Sequence, residues 1–249
     1  MRKRALFYFL LVSTCILPTG CKMWSTTPRR ERVIRFSGYN WIVKSSRHLT
    51  GPGPNYFSDR ADQVWVDNRG CLHLKIKWAG GHWQCSEVIS EKLFGYGKYT
   101  FKLASRVDYL DPSAVAGFFT WYPGGFSNHR ELDIEFSRWG RIQELNGQYV
   151  VQPAEKSGHL YPFSFKQNGT FTTHQFVWKP NMIEFKSMHG HHDKQNGQLE
   201  IAHWKFRRWG IPKGKNVQAR INLWLYRGRP PLYSREIELI IQEFNYTPL

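Results

Sequence analysis

Acidic residues are scarce in these 249 residues: Asp and Glu number 19 against 35 Lys and Arg, a formal net charge of +16. A basic surface of that size favours anionic partners, but no nucleic-acid motif accompanies it. Cysteine is scarcer still, at four. Cys15, Cys21, Cys71 and Cys85 have no metal-ligand spacing, which excludes a small domain stapled by zinc. Long apolar runs are also missing. The best, residues 5–17, is too short for a comfortable membrane span and follows Met1-Arg2-Lys3-Arg4, the layout of an export signal. Helical periodicity never extends beyond a turn or two, and Trp139-Gly140 and Trp209-Gly210 do not amount to a repeat. A helical bundle, a repeat array and a helical membrane protein are therefore all excluded.

Short alternating runs between turn residues are what the chain does contain. Val64-Trp65-Val66, Asp67-Asn68-Arg69-Gly70 and Leu72-His73-Leu74-Lys75-Ile76 read as strand, turn and strand. Gly80-Gly81 turns the chain into residues 83–89, and further strands are expected at 99–103, 115–122, 148–152, 173–178, 183–185, 219–226 and 236–244. About a dozen strands without helices predict one antiparallel sandwich. The expected organisation is a signal over residues 1–20, a basic tether over 21–35 and the domain over 36–249. Leu17-Pro18-Thr19-Gly20-Cys21 resembles a bacterial lipoprotein cleavage site, with Pro18 where Leu is usual. That implies lipidation of Cys21; ordinary cleavage nearby is the alternative. Cys71 and Cys85 then remain, either as a disulfide or as two separate thiols. His189-Gly190-His191-His192-Asp193 lies in a polar stretch and reads as a solvated loop rather than a metal site.

The most informative stretch is Glu131-Leu132-Asp133-Ile134-Glu135-Phe136. Its strict alternation has the period of a strand, with Leu132, Ile134 and Phe136 towards a core and three carboxylates on the other face. Like charges in a row weaken an ordinary strand. Residues 131 and 135 have Cα atoms about 13–14 Å apart on a regular strand. Side chains leaning towards each other bring their carboxyls to about 5–6 Å, near the spacing of a retaining glycosidase pair. Asp133 between them can hold a shared proton.

With these strands in place, the chain resembles glycoside hydrolase family 16, the group of lichenases, laminarinases and xyloglucan transglycosylases. The likeness runs from about Gly51 to the C-terminus. Cys85-Ser86-Glu87 with Phe94-Gly95-Tyr96-Gly97-Lys98-Tyr99 is similar to the family's C-A-E and Y-G-Y-G-x-Y segment. Phe118-Phe119-Thr120-Trp121 is similar to F-F-T-Y, the acidic strand to E-I-D-I-E-F, residues 171–180 to F-H-T-Y-A-F-D-W-Q-P, and Asn222-Leu223-Trp224 to N-L-W. The resemblance implies a concanavalin A-like β-jelly-roll sandwich of two antiparallel sheets. It makes Glu131 the nucleophile, Glu135 the acid/base and Asp133 the helper, with no residue inserted before Glu135. It also implies substrate contacts at Glu87, Phe119, Trp121, Asn222 and Trp224. Parity agrees: Phe119 and Trp121 share one strand face, as do Asn222 and Trp224. Aromatic rings suit the apolar faces of sugars, and Glu and Asn suit their hydroxyls.

Two departures stand out. His129 occupies a position where the family often has Trp, on the catalytic face by parity. Ser137-Arg138-Trp139-Gly140 replaces a short polar loop. Gln148 and Gln152 lie on one face of the next strand, within reach of the cleft. The expected function is an exported retaining endo-β-glycosidase acting as a monomer on a β-linked, glucan-like polysaccharide. Nucleic acid is not an expected partner, and the membrane is one only through a lipid anchor. No organic cofactor or metal site is implied; the family permits a structural cation that these residues do not locate. A transglycosylase with the same residues and a non-catalytic carbohydrate-binding sandwich are the alternatives.

Overall fold

A computed structural model of the chain describes residues 31–124, 130–142, 145–192 and 199–249. Within them, helix is confined to short 3-10 turns such as Val107–Tyr109 and Tyr226–Gly228. The strands in chain order are β1 (Arg32–Phe36), β2 (Tyr39–Val43), β3 (Tyr56–Phe57), β4 (Val64–Val66), β5 (Leu72–Ala79), β6 (His82–Gly95), β7 (Gly97–Leu103) and β8 (Ala114–Trp121). They continue as β9 (Leu132–Ser137), β10 (Gly147–Val151), β11 (Leu160–Phe163), β12 (Thr172–Lys179), β13 (Met182–His189), β14 (Glu200–Phe206), β15 (Lys215–Leu225) and β16 (Ile237–Pro248).

Two antiparallel layers result. The front layer runs β11-β10-β9-β8-β15-β6-β2-β1, and the back layer β4-β5-β16-β7-β12-β13-β14. The β5–β6 hairpin joins them: Leu72 to Ile76 pair with β16, while Lys77 to Ala79 turn to pair with the start of β6. This is the sandwich the alternating runs predict, with the acidic strand inside the front layer.

The core lies between the layers. Leu132, Ile134 and Phe136 of β9 are completely buried. Phe136 packs 4.6 Å from the His174 ring of β12, and Phe118 of β8 packs 5.3 Å from Phe101 of β7. His174 is an unusual core residue. Burial pushes its imidazole down to about 3, so it is neutral, and its nitrogens are hydrogen-bonded to Ser187 and Thr172 at 2.8 Å each. Tyr149 donates to the same Ser187 hydroxyl at 2.6 Å. The network under the acidic strand is thus satisfied without charge.

The structure also revises details of the sequence reading. β1 begins at Arg32, inside the stretch expected to be a tether. Ser37 and Gly38 both take positive φ (49° and 80°) between the paired Phe36 and Tyr39, a two-residue hairpin turn that folds this segment into the sheet. Cys71 and Cys85 are unbridged, and burial raises the Cys85 thiol to about 12. His189 closes β13 opposite Thr172 instead of lying in a loop, and His191 is hydrogen-bonded to the Leu103 carbonyl at 2.8 Å. Among the described residues, no group of three or more His, Cys, Asp or Glu is placed to hold a metal ion.

Candidate active site

Registry across the front layer assembles the site. Gln148 of β10 lies opposite Glu135 of β9, Glu135 opposite Gly117 of β8, Gly117 opposite Asn222 of β15, and Asn222 opposite Glu87 of β6. A parallel row runs Val150, Asp133, Phe119, Arg220 and Ile89. Each step is one strand spacing, about 4.8 Å, so the rows carry side chains across the sheet and not along one strand. Of these, Glu135, Gly117, Asn222 and Glu87 in one row and Asp133, Phe119 and Arg220 in the other floor a cleft of about 400 Å³ that Glu131, Trp121, Trp224, Lys44 and the segment Thr50-Gly51-Pro52 also line.

Gly117 sits in the middle of the first row for a steric reason. A Cβ there would lie 2.5 Å from the Asn222 Oδ1. The missing side chain lets Asn222 lie across β8 towards Glu135.

Each carboxylate of β9 has its own support. Gln148 Nε2 donates to Glu135 Oε2 at 2.7 Å, and Gln152 Nε2 donates to Asp133 Oδ2 at 3.0 Å. The Gln152 amide also donates to the Glu131 carbonyl at 3.1 Å, which holds the residue just ahead of β9. Asp133 is buried (4% exposed), while both Glu side chains keep some surface open to the cleft.

Burial raises all three carboxyls. Asp133 goes well above its usual range, through burial first and then the flanking charges of Glu131 and Glu135. Glu135 is pushed up to about 6 by burial, against the stabilising bond from Gln148. Glu131 is pushed up to about 8 by burial and by Glu135, while its hydrogen bond with Asp133 and the charge of Arg220 work the other way. That hydrogen bond raises Asp133 and lowers Glu131. Of the two, Glu131 therefore ionises first as pH rises, and Asp133 keeps its proton longer.

Glu87 does not stand free to bind a hydroxyl as the sequence reading expects. Its side chain is completely buried, with Lys44 Nζ at 3.0 Å on one oxygen and Arg220 Nη1 at 3.1 Å on the other. It fastens two cations to the cleft floor. Neither Lys44 nor Arg220 figures in the sequence reading. Arg220 had a signal, since it precedes Asn222 by two residues on the same strand face; Lys44, just past β2, had none. The Arg220 guanidinium also donates to Gln218 at 2.7 Å and lies 5.4 Å from the Trp121 ring. Its Nε and the Asn222 Oδ1 are buried without a hydrogen-bond partner among the described residues.

The remaining expected residues fall where parity puts them. Phe119, Trp121, Asn222 and Trp224 line the cleft, and Gln148 and Gln152 reach it through the carboxylates. His129 and Cys21 lie outside the described residues.

No protein-family model and no curated protein sequence matches the chain. Solved structures do. A β-glucanase of Bacillus licheniformis is 20% identical, covering 88% of this chain and 98% of its own, with a TM-score of 0.64. A prokaryotic β-1,3-1,4-glucanase (lichenase) derived from a mouse hindgut metagenome is 20% identical over 84% of this chain and 93% of its own, at 0.60. An immunostimulatory antigen and pseudo β-1,3-glucanase of Mycobacterium tuberculosis is 17% identical over 84% and 91%, at 0.63. The β-jelly-roll sandwich of these proteins is the fold of this chain.

Proposed function

We propose that this protein is a retaining glycoside hydrolase of the family 16 type that cuts within a β-linked, glucan-like polysaccharide. One observation carries the reading: three carboxylates on one cleft face, Glu131 just ahead of β9 and Asp133 and Glu135 on it, the latter two held by Gln152 just past β10 and Gln148 on it, beneath aromatic walls. The glucanase structures that share the fold support it.

In this reading Glu131 attacks the anomeric carbon while Glu135, raised by burial, gives its proton to the leaving glycosidic oxygen. A covalent glycosyl-enzyme forms on Glu131. Glu135, now a base, takes a proton from water, whose oxygen displaces Glu131 from the anomeric carbon. Retention follows from two inversions. Asp133 keeps the shared proton off the nucleophile. Trp121, Trp224 and Phe119 stack the sugar rings, and the rows across β10 to β6 make room for chain on both sides of the cut.

The roles separate by azide rescue. Glu135→Ala lowers turnover of a natural glycan by roughly 10²–10⁴-fold. On an aryl glycoside with a good leaving group it still forms the glycosyl-enzyme, and azide then yields the β-glycosyl azide. Glu131→Ala yields the inverted α-azide. An inverted product from Glu135→Ala reverses the assignment, and no rescue of either variant on any β-glycan leaves a carbohydrate-binding sandwich in its place. A sugar acceptor that outcompetes water in the wild type would make the enzyme a transglycosylase.

We extend the proposal to location: the chain is exported and lipidated at Cys21. The mature protein then partitions into detergent, and Cys21→Ser releases it or leaves the precursor uncut. Aqueous partitioning of both forms ends the lipid anchor.

A further inference from the structure

The segment from Leu49 to Asn55 is a strap with two occupied sides. Thr50 and Asn55 exchange backbone hydrogen bonds at 2.9 Å each. Asn55 Nδ2 donates to the Pro52 carbonyl at 2.9 Å and to the Leu225 carbonyl of β15 at 2.8 Å, pinning the strap to the front layer. Thr50, Gly51 and Pro52 face the catalytic cleft. Leu49, Pro54 and Asn55 face a second pocket of about 230 Å³. The two concavities lie on either side of this one strap, with Trp224 in the cleft and its neighbour Leu225 in the second pocket.

The wall of the second pocket is aromatic. Trp78 and Trp83 face each other across the β5–β6 hairpin, ring centroids 5.7 Å apart and edge-on. Tyr56 lies 4.0 Å from the His82 ring, and His82 is 3.2 Å from the Gln84 side-chain amide. Pairing of the two tryptophans is enough to stabilise a hairpin, but it does not account for their openness. Trp78 is 56% exposed and Leu49 55% exposed, and apolar surface grouped in this way marks a binding site more often than a bare surface. No Asp, Glu, Lys or Arg lines the pocket. This composition is that of a sugar site: ring faces for stacking, a polar edge for hydroxyls and no charge to desolvate.

We propose that this pocket is a second binding site for a neutral β-linked glycan, where a sugar ring stacks on Trp78 as the chain leaves the cleft over the strap. The identity of the ligand rests on the glycosidase reading above. The site acts on polymer and not on short substrates, because only a chain that crosses the strap reaches it.

The test compares wild type and Trp78→Ala by affinity electrophoresis in soluble β-1,3-, β-1,4- and mixed-linkage glucans, alongside turnover of a short aryl β-glycoside. Trp78→Phe is the control that keeps a ring. The expected result is roughly three- to tenfold weaker retardation for Trp78→Ala, unchanged turnover of the aryl glycoside and recovery with Trp78→Phe. Retardation equal to wild type overturns the second site and leaves the hydrolase reading standing. Absence of wild-type retardation beside normal cleavage overturns it too. Retardation that Trp78→Ala relieves in a protein without turnover keeps the site and removes the hydrolase. Neither retardation nor turnover with any glucan removes both.

Discussion

Arg220 places a full positive charge where the fold offers little water to solvate it. Burial lowers its affinity for the proton, and Glu87 and Glu131 restore it. A planar guanidinium suits the position: one arm is on Glu87, one on Gln218, and its face is near Trp121. The same charge favours ionisation of Glu131, and the nucleophile must be ionised to attack. Activity is therefore lost as pH falls through the pKa of Glu131. Replacing Arg220 by Gln removes that help and leaves Glu87 with Lys44 as its one cation, so Glu87 and Glu135 weigh more against ionisation of Glu131. The acid limb of kcat/KM then moves to higher pH, and Arg220→Lys moves it less. A limb that stays in place while KM rises would make Arg220 a substrate contact alone.

At the scale of the element, β9 works because its two faces obey different rules. The inward face is apolar and sealed, so Phe136→Ala costs about 3–5 kcal/mol, measurable as a lowered denaturation midpoint with an unchanged slope. The outward face depends on its neighbour β8 staying bare at residue 117. Gly117→Ala puts a methyl group 2.5 Å from the Asn222 Oδ1; Asn222 must swing aside. KM for glycan should rise while stability falls by only about 1–3 kcal/mol. Strands of this kind were legible in the sequence because a period of two shows wherever one face is buried. The acidic strand and β15 have it; β8 instead reads as a continuous apolar run buried on both faces. β11 did not show: it is four residues long at the layer's edge and contains Pro162. β14, another edge strand, spends His203 on a hydrogen bond and Lys205 on an ion pair with Glu184, which blurs its alternation. β1 was hidden by Arg32 and Arg35, whose charges read as tether although Arg32 donates to the Val64 carbonyl at 2.8 Å. In the site, parity located the aromatic residues and the glutamines. It could not show that Lys44, Glu87 and Arg220 meet, since they lie 43 and 133 residues apart in the chain and their pairing depends on strand order.

For the whole molecule, the catalytic trio is a cost of folding that depends on pH. A net charge of +16 favours ionised carboxylates at long range, but local burial is stronger, and Glu131, Asp133 and Glu135 all rise in the folded state. In the unfolded chain these groups titrate near pH 4. Between that pH and their folded pKa values, the folded protein binds more protons than the unfolded one, so stability falls as pH rises. The trio's contribution is fully present below about pH 4 and is lost through about 6 for Glu135 and about 8 for Glu131. Asp133→Asn removes one of these groups and keeps an oxygen to accept the Gln152 hydrogen bond. The variant should match wild type in Tm near pH 4 and exceed it increasingly towards pH 8, by about 2–4 °C for each kcal/mol of penalty removed. Its activity falls at the same time, because an amide at residue 133 donates a hydrogen bond to Glu131 but cannot exchange a proton with it, the trade between stability and function expected of a strained site. A Tm difference that is flat across pH 4–8 would mean that Asp133 does not hold the proton. A variant less stable than wild type throughout would mean that its hydrogen bonds outweigh its burial.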